Sequence, residues 1–498
     1  MPLKMTPELS KNKMHVGVLG LAAMGNNLCF NLVSNGYTVS IYNRTPDRTE
    51  KIRNEYDQYG KYPGKFVYCY SLEEFIQSIP EPRPIFLIVM STAVRSVIES
   101  ILPLISEKDM ICDFANSVPE HTNEHAKLIS DFFFPCNSKN EKLNCQHSDQ
   151  GNVHKARFLG IGISGGTTGA RKNGGLMISG HLETYEHLKH VFNSLTNSSA
   201  YFGQDYATGH FIKFLHNGVE YALMSIISEF NEISCSIEKH YDVKKENSNT
   251  SVILEEINQK LDTYLLTILK KVTSNPNFKN IDNDLRMKGS GQWVYNTFGG
   301  RVNIGLIGNA VEQRVRKYFD NSVANSNDQI IKSQMLNDML KDKNLVQMKS
   351  ILKNALLYSL RQCYQQGIDM ILHDNIIVKS EDKNFLIIKS LDVWRNGCII
   401  SGHIVDIVKD SYLLKNNLIK NTELEEYFKI DESTIHENLK FLTEYALENL
   451  IPVQQIPTIL NGLNYKNDNQ IRILSGMRDY FGAHGVYING KWQNIDWE

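Results

Sequence analysis

HVGVLGLAAMGNNLCFNLVS, residues 15–34, joins a short β-type run to a helical pattern through Gly20 and Gly25. A dinucleotide-binding turn uses its first glycine for a tight bend, a tiny second position for the approach of the pyrophosphate, and a last glycine for helix–strand packing. Ala22 occupies the second position here. We expect the pyrophosphate at the helix N-terminus, Met24–Asn26, where unpaired N–H groups and the helix dipole attract anions. The alternative is a purely structural glycine turn.

The residues that follow repeat this strand–helix rhythm. From His15 to about residue 205, β-type runs alternate with amphipathic segments such as Met24–Ser34 and Ala93–Leu102. The alternation predicts a parallel sheet covered by helices on both faces, which is an α/β Rossmann-type N-terminal domain over residues 1–206. The predicted strands are His15–Leu19, Thr38–Tyr42, Phe66–Tyr70, Ile85–Met90, Met110–Asp113 and Arg157–Ile163.

The second half of the chain has a different pattern. Beyond about Gly209 the strand signals fade, and long segments with helical spacing predict a large all-α second domain over residues 207–466. A C-terminal tail is expected over residues 467–498. Two polar stretches without an apolar period, 134–154 and 321–343, are predicted to be surface insertions. The predicted helical segments are Phe211–Glu238, Val252–Val272, Lys349–Gln366 and Leu424–Leu450.

Composition and charge narrow the classes of function. The 498 residues are too many for one compact core. The formal net charge of -2 argues against non-specific nucleic-acid binding, which needs a basic surplus. The eight cysteines form no C-x-x-C pair, which fits a reducing compartment. Because Ile85–Met90 is too short to span a bilayer and Met1–Lys13 lacks a signal-peptide core, we expect a cytoplasmic protein with no membrane or nucleic-acid partner.

The end of the second predicted strand bears on the choice between NAD and NADP. An NAD enzyme usually places Asp or Glu about 20 residues beyond the glycines to bind the ribose hydroxyls. The sequence here is Tyr42-Asn43-Arg44-Thr45, which contains no carboxylate. Arg44 offers a planar charged fork for a 2′-phosphate, and Asn43 and Thr45 add hydrogen-bonding groups. NADP is therefore the expected cofactor, and the alternative is a solvated turn with an incidental arginine.

Residues 209–221, GHFIKFLHNGVEY, carry the candidate chemistry. Positions i, i+3, i+4 and i+7, which share one face of a helix, are occupied by Lys213, His216, Asn217 and Glu220. Because apolar residues fill the other faces, we predict a buried helix whose polar stripe faces a cleft, rather than a stripe that faces solvent. Lys213 and Glu220 are then about 10 Å apart along the helix axis. They can act as base and acid on a small polyol if burial lowers the pKa of the amine and raises that of the carboxyl.

Taken together, these motifs resemble the 6-phosphogluconate dehydrogenase (decarboxylating) family over nearly the whole chain from Met14. Several spaced motifs in the right order are far more specific than any one of them. The motifs are Gly20–Gly25, Asn43-Arg44-Thr45, Asn116-Ser117, Ser164-Gly165-Gly166, Lys213–Tyr221, Lys288–Gly291, Trp394–Ile400 and Arg478–His484.

The resemblance implies an enzyme of the oxidative pentose phosphate pathway that converts 6-phosphogluconate to ribulose 5-phosphate and CO₂ with reduction of NADP. In the family's chemistry, Lys213 takes the proton of the 3-hydroxyl while hydride passes to NADP, and Glu220 later protonates the enediol carbon. No metal is expected, because a carbonyl β to a carboxylate is itself the electron sink for decarboxylation. The resemblance also implies a homodimer in which each tail reaches the partner subunit's active site.

The same resemblance assigns the site residues motif by motif. The catalytic residues are Lys213, His216, Asn217 and Glu220. The cofactor-binding residues are Gly20, Leu21, Ala22, Ala23, Met24, Gly25, Asn43, Arg44, Thr45 and Asn116. The substrate-binding residues are Asn116, Ser164, Gly165, Gly166, His216, Asn217, Tyr221, Lys288, Arg314, Arg478 and His484, the last two on the exchanged tail. The phosphate would be surrounded by Tyr221, Lys288, Arg314 and Arg478.

The chain departs from the family pattern mainly beside the expected nicotinamide site. Met90-Ser91-Thr92 stands in place of Lys-Ala-Gly, Phe114-Ala115 in place of Gly-Gly, and Thr167 in place of an acidic residue. Two alternatives to an active decarboxylating dehydrogenase stay open, the first because it shares the Rossmann–helix plan and an equivalent lysine, the second because of these departures. One is another β-hydroxyacid dehydrogenase, and the other is a catalytically weak paralogue that binds NADP.

Overall fold

The computed structural model describes residues 13–135, 156–244, 249–281, 289–316, 340–374, 382–416 and 431–464, with 473, 477, 486–488 and 491–493. The chain forms two compact units, one of residues 1–328 with 360–429 and one of residues 329–359 with 430–498. The predicted domain limits after residues 206 and 466 stay predictions. Residues 136–155 and 317–339, which hold most of the two predicted insertions, lie outside the described residues.

An eight-stranded sheet is the centre of the first unit. Its strands are β1 His15–Leu19, β2 Thr38–Tyr42, β3 Lys65–Cys69, β4 Pro84–Leu87, β5 Met110–Asp113, β6 Phe158–Ile163, β7 Leu176–Gly180 and β8 Ser199–Tyr201. They are ordered β3-β2-β1-β4-β5-β6-β7-β8. Every neighbouring pair is parallel except β6 and β7. The strand order reverses between β1 and β4, and an open α/β sheet binds its ligand at such a switch point.

The sheet confirms the six predicted strands and corrects the prediction in two respects. Strands β7 and β8 were not predicted, and β7 runs antiparallel to β6, so the sheet is not wholly parallel. The connection between these two strands holds only a seven-residue helix, about 10 Å long by its rise per residue. A helix of this length cannot return the chain to the start of a six-residue strand, about 20 Å long, as a parallel pairing would require. The next strand therefore runs antiparallel.

Helices cover both faces of this sheet. They are α1 Ala23–Ser34, α2 Pro46–Tyr59, α3 Leu72–Gln77, α4 Val94–Ile101, α5 Pro119–Phe133, α6 Gly166–Lys172 and α7 Leu182–Leu195. Successive strand residues point to opposite faces, so that Phe86 packs in one apolar cluster while Ile85 and Leu87 pack in the other. This arrangement is the predicted Rossmann-type fold.

The rest of the described chain is largely helical. Its helices are α8 Thr208–His240, α9 Val252–Leu261, α10 Tyr264–Thr273, α11 Ser290–Phe298, α12 Gly305–Arg316, α13 Leu345–His373, α14 Lys383–Arg395, α15 His403–Lys415, α16 Glu432–Glu448 and α17 Gln455–Asn464. A short antiparallel pair, β9 Val486–Ile488 and β10 Lys491–Gln493, lies in the tail. The predicted continuous segment Val252–Val272 is wrong, because Asp262 adopts φ 47° and ends α9. Within the described ranges, no helix is both long and apolar enough to cross a bilayer.

Candidate active site

Glycines in β6 allow the candidate catalytic helix, α8, to lie directly on the sheet. A Cβ atom on Gly162 would come within 2.4 Å of the Lys213 Cβ. A Cβ on Gly160, two residues earlier on the same face, would lie 3.3 Å from Nδ1 of His210. Within α8, a Cβ on Gly209 would lie 2.6 Å from the Gly160 carbonyl oxygen. Carbon atoms pack at about 3.5–4.0 Å, so only glycine at these positions admits the helix so closely.

Lys213 is buried, with 8% of its surface exposed. Its Nζ donates to Oδ1 of Asn217 at 2.6 Å and lies 3.3 Å from Nδ1 of His216. Burial lowers the pKa of the Lys213 amine, whereas the charges of Glu220 and Cys398 oppose this shift. Lys213, His216 and Asn217 of the predicted polar stripe are buried and Glu220 is partly buried, and the pKa of the amine shifts in the direction that lets a lysine serve as a base.

The amide of Asn217 has a defined orientation because Ser290 is its second partner. Asn217 Nδ2 donates to Oγ of Ser290 at 2.9 Å, which leaves Oδ1 as the atom that accepts from Lys213. Ser290 is buried and begins α11. Sequence reasoning did not select Ser290 as a site residue, although it lies within the quoted Lys288–Gly291 motif.

His216 connects the stripe to the turn after β6. Its Nε2 lies 2.9 Å from Oγ of Ser164, and the same Oγ accepts the backbone N–H of Ile399 at 3.3 Å. His216 is fully buried. Burial, followed by the nearby charge of Lys213, lowers the pKa of the imidazole well below its ordinary value, so this histidine is neutral. The role of the Ile399 N–H could not be found from side-chain types, because a backbone group supplies it.

The turn that carries Ser164 depends on glycine. Gly165 and Gly166 have φ values of 98° and 60°, which are left-handed conformations that favour glycine. A Cβ on Gly165 would also lie 2.7 Å from the carbonyl oxygen of Gly397. These two glycines therefore bring Ser164 against the segment that supplies the Ile399 N–H.

Glu220 and Tyr221 lie at the other end of the stripe with Arg314. Oε2 of Glu220 is 3.8 Å from Nδ1 of His216, and the Arg314 guanidinium carbon is 3.6 Å from the centre of the Tyr221 ring. Burial raises the pKa of the Glu220 carboxyl, while the charges of Lys213 and Arg314 partly oppose this. The amine and the carboxyl thus shift in opposite directions, as acid–base work requires. The structure also brings Arg314 from α12 to the site, as predicted.

The glycine turn after β1 fits the pyrophosphate of a dinucleotide. Gly20 has φ 103°, and a Cβ there would lie 2.4 Å from the Ile88 carbonyl oxygen. A Cβ on Gly25 would lie 1.9 Å from the Gly20 carbonyl oxygen, so the last glycine is required for the close approach of α1 to β1. Ala22 is the N-cap of α1, is exposed, and makes no side-chain capping bond. The first N–H groups of α1 can therefore bind an anion.

The residues that follow β2 hold the glycine turn in place and leave Arg44 exposed. Asn43 accepts the Leu21 N–H through Oδ1 at 3.0 Å and donates through Nδ2 to the Thr45 carbonyl at 3.1 Å, so its amide fastens the glycine turn to β2. Arg44 is exposed and forms no ion pair with any residue that the structure describes. Thr45 is the N-cap of α2. These residues fit a 2′-phosphate.

Of the predicted substrate-binding residues, four have no described contact with the hydrogen-bonded residues of α8. Asn116 is exposed in the loop after β5. Lys288, Arg478 and His484 lie outside the described residues. In the part of the chain that the structure describes, no three His, Cys, Asp or Glu side chains are placed to hold a metal ion.

A dinucleotide-binding sheet followed by a buried helix that carries an amine and a carboxyl with oppositely shifted pKa values is the arrangement of an NAD(P)-dependent oxidoreductase. Comparison with known proteins then gives the family. The family model described as "6-phosphogluconate dehydrogenase, C-terminal domain" matches residues 209–497. The model described as "NAD binding domain of 6-phosphogluconate dehydrogenase" matches residues 15–133 and 129–203. The chain belongs to the 6-phosphogluconate dehydrogenase family.

Individual relatives agree with this assignment over nearly their whole length. The chain is 29% identical to a 6-phosphogluconate dehydrogenase (decarboxylating) of Lactococcus lactis, covering 94% of this chain and 95% of that protein. It is 28% identical to the NADP(+)-dependent decarboxylating enzyme of Bacillus subtilis, covering 95% and 96%. A solved structure of Plasmodium falciparum 6-phosphogluconate dehydrogenase matches with a TM-score of 0.73 at 24% identity, covering 97% and 99%. This structural match shows the same fold.

Proposed function

We propose that this protein oxidatively decarboxylates 6-phosphogluconate to ribulose 5-phosphate and CO₂ with reduction of NADP to NADPH. The observation that carries the proposal is the pair Lys213 and Glu220, which lie on one buried helix with pKa values shifted toward each other. A lowered pKa makes more of the lysine neutral and able to accept a proton, and a raised pKa keeps more of the carboxyl protonated and able to donate one. Family membership supplies the substrate and the cofactor.

Lys213 and Glu220 have different tasks in the proposed reaction. Neutral Lys213 removes the proton of the 3-hydroxyl, and NADP, when bound, supplies the acceptor for the hydride of C3. The protonated amine then donates a hydrogen bond to the 3-keto oxygen while the C1 carboxylate leaves as CO₂. Asn217 Oδ1, held toward Nζ by Ser290, stabilises the ammonium form at this stage. Glu220 delivers a proton to the enediol carbon.

The other residues of the site bind and orient the substrate and the cofactor. Neutral His216 and Ser164 can hydrogen-bond the hydroxyl and carboxylate groups of a sugar acid without placing an additional charge beside Lys213. Arg314, stacked on Tyr221, provides a cation for the phosphate end of the substrate. The turn at Gly20 and the exposed Arg44 would hold the pyrophosphate and the 2′-phosphate of NADP.

The assay is NADPH formation and CO₂ release with 6-phosphogluconate, set beside non-phosphorylated hydroxyacids. We expect turnover of the phosphorylated substrate, and a loss of about 10²–10⁴-fold in Lys213→Met, the range for a general base. Lys127→Met is the matched control, because Lys127 is an exposed lysine of α5 whose ion-pair partner among the described residues is the surface residue Asp131. Turnover of hydroxyacids alone would indicate another β-hydroxyacid dehydrogenase. NADP binding without turnover of either would indicate a catalytically weak paralogue.

A homodimer with exchanged tails forms the second part of the proposal, and it rests on family resemblance. If Arg478 completes the partner subunit's site, Lys213→Met and Arg478→Ala proteins are each inactive, but their heterodimers contain one intact site. Random exchange at equal concentrations should then restore about a quarter of wild-type activity. Mixing without any recovery, under conditions in which subunits exchange, would contradict tail exchange.

A cytoplasmic location is also part of the proposal. It is supported by the six cysteines in the described part of the chain, none of which forms a disulfide with another described residue and five of which are buried. Cell fractionation with detection of the protein in the soluble fraction checks this location, and recovery from an oxidising compartment would contradict it.

A further inference from the structure

The carboxylate of Asp113 holds the loop that carries Asn116. Asp113 ends β5 and is fully buried. Its Oδ1 accepts the N–H of Ala115 at 2.8 Å, and its Oδ2 accepts the hydroxyl of Ser117 at 2.8 Å. Residues 114–118, which we name the Asn116 loop, thus have a defined shape at the carboxyl edge of the sheet. A Rossmann sheet binds its cofactor at this edge.

A hydrogen bond joins the helix after this loop to the catalytic helix. Oγ1 of Thr122 in α5 lies 2.8 Å from Nδ1 of His210 in the first turn of α8. Both side chains are fully buried. His210 precedes Lys213 by three residues and therefore lies on the same side of α8. The bond connects α5, which begins directly after the Asn116 loop, to the turn of helix from which the Lys213 amine projects.

A glycine in the neighbouring strand leaves room for the hydrogen bond between Thr122 and His210. Gly160 of β6 pairs with Asp113 in the sheet, and a Cβ on Gly160 would lie 2.9 Å from Cγ2 of Thr122. Burial lowers the pKa of His210, and the Asp113 carboxylate opposes the shift. The imidazole is therefore neutral, and the contact with Thr122 does not require a buried charge.

We propose that Thr122 and His210 are positioning residues for hydride transfer, and that their hydrogen bond sets the Asn116 loop relative to Lys213. The inference rests on the proposed function. In that reaction the proton and the hydride leave the same carbinol group. The base on α8 and the Asn116 loop beside the cofactor must therefore be held in a fixed position relative to each other. A misplacement of about 1 Å can cost about 10²-fold in rate. A direct bond between the two elements is suited to prevent it.

The main test compares Thr122→Val, which keeps the shape but loses the hydroxyl, with Thr122→Ser, which keeps the hydroxyl. We expect kcat of Thr122→Val to fall about 10-fold, with KM for NADP changed by less than about twofold. The primary isotope effect with substrate deuterated at C3 should rise, because hydride transfer then limits the rate more. Thr122→Ser should recover most of kcat.

Two further comparisons separate positioning from stability. Thr208→Val is the matched control, since it makes the same Thr→Val change in the turn of α8 that holds His210, at a buried hydroxyl with no hydrogen-bond partner among the described residues. Its kcat and isotope effect should equal those of the wild type. His210→Asn can replace Nδ1 with an amide nitrogen and should retain more kcat than His210→Leu.

The outcomes are distinct. If the wild-type protein does not turn over 6-phosphogluconate, the proposed function fails and this inference fails with it. If the wild type is active but Thr122→Val has unchanged kcat and isotope effect, the positioning role alone is overturned, even where Tm falls. If Thr122→Val does not fold, equal kcat values for His210→Asn and His210→Leu overturn the inference instead.

Discussion

Replacing Gly162 by alanine tests whether the close packing of α8 on β6 is needed for catalysis. The added Cβ would lie 2.4 Å from the Lys213 Cβ, 3.0 Å from its Cγ and 2.9 Å from the Gly209 carbonyl oxygen. The carbon–carbon distance must grow to about 3.5 Å or more, so α8 must move by about 1.1 Å or more at this turn. The Lys213 Cβ and the Gly209 carbonyl oxygen are held by the backbone of α8, so rotation of the Lys213 side chain alone cannot relieve the clash.

The size of the effect follows from that displacement. A 1 Å shift of a catalytic group costs about 10²-fold in rate, and overpacking of a core typically costs about 1–3 kcal/mol of stability. We expect kcat for 6-phosphogluconate to fall about 100-fold and Tm to fall by several degrees. The affinity for NADP, measured by isothermal titration, should be nearly unchanged, because the glycine turn after β1 is not touched.

Gly462→Ala provides the control, since a Cβ at this helical glycine would meet no atom of a described residue within 4 Å. Alanine there should leave kcat unchanged and stabilise the protein by about 0.4–1 kcal/mol. A Gly162→Ala protein with wild-type kcat would refute the argument that α8 cannot move without loss of activity. Equal losses of kcat in both variants would show that the assay reports folding rather than geometry.

Two other predictions concern charge. Arg44→Glu should weaken NADP binding at least about 10-fold, the value of one charge-assisted hydrogen bond, without weakening NAD, and equal losses for both cofactors would contradict a role at the 2′-phosphate. For Lys213, the folded-state pKa lies below the ordinary value of 10.5, so between these two values the unfolded chain holds a proton that the folded chain has released. The free energy of unfolding of the wild-type protein should therefore rise with pH across this window. Lys213→Met should lack this rise and should be the more stable protein at neutral pH. Tm measured against pH for both proteins checks this, and parallel curves would contradict a lowered pKa.

Local sequence signals predicted most of the fold and the centre of the site. The glycine spacing and the alternating runs predicted a Rossmann-type domain, because a strand–turn–helix unit is encoded within about twenty residues. The polar stripe on an otherwise apolar helix predicted a polar face that is largely buried, for the same reason. The break at Asp262 and the strand β7 were missed, since a left-handed residue and an antiparallel return leave no periodic signal.

The sequence by itself determined which groups can do chemistry: a lysine and a glutamate seven residues apart on one helical face, and an arginine where an NAD enzyme carries an acid. Only the tertiary structure decided the states and partners of those groups. Burial shifts the pKa values of Lys213 and Glu220 in opposite directions, and the close packing of Lys213 on β6 depends on the missing side chain at Gly162. The contacts of Ser290 and the Ile399 N–H likewise join residues far apart in the chain, and no local pattern of residue types can encode a distance between distant segments.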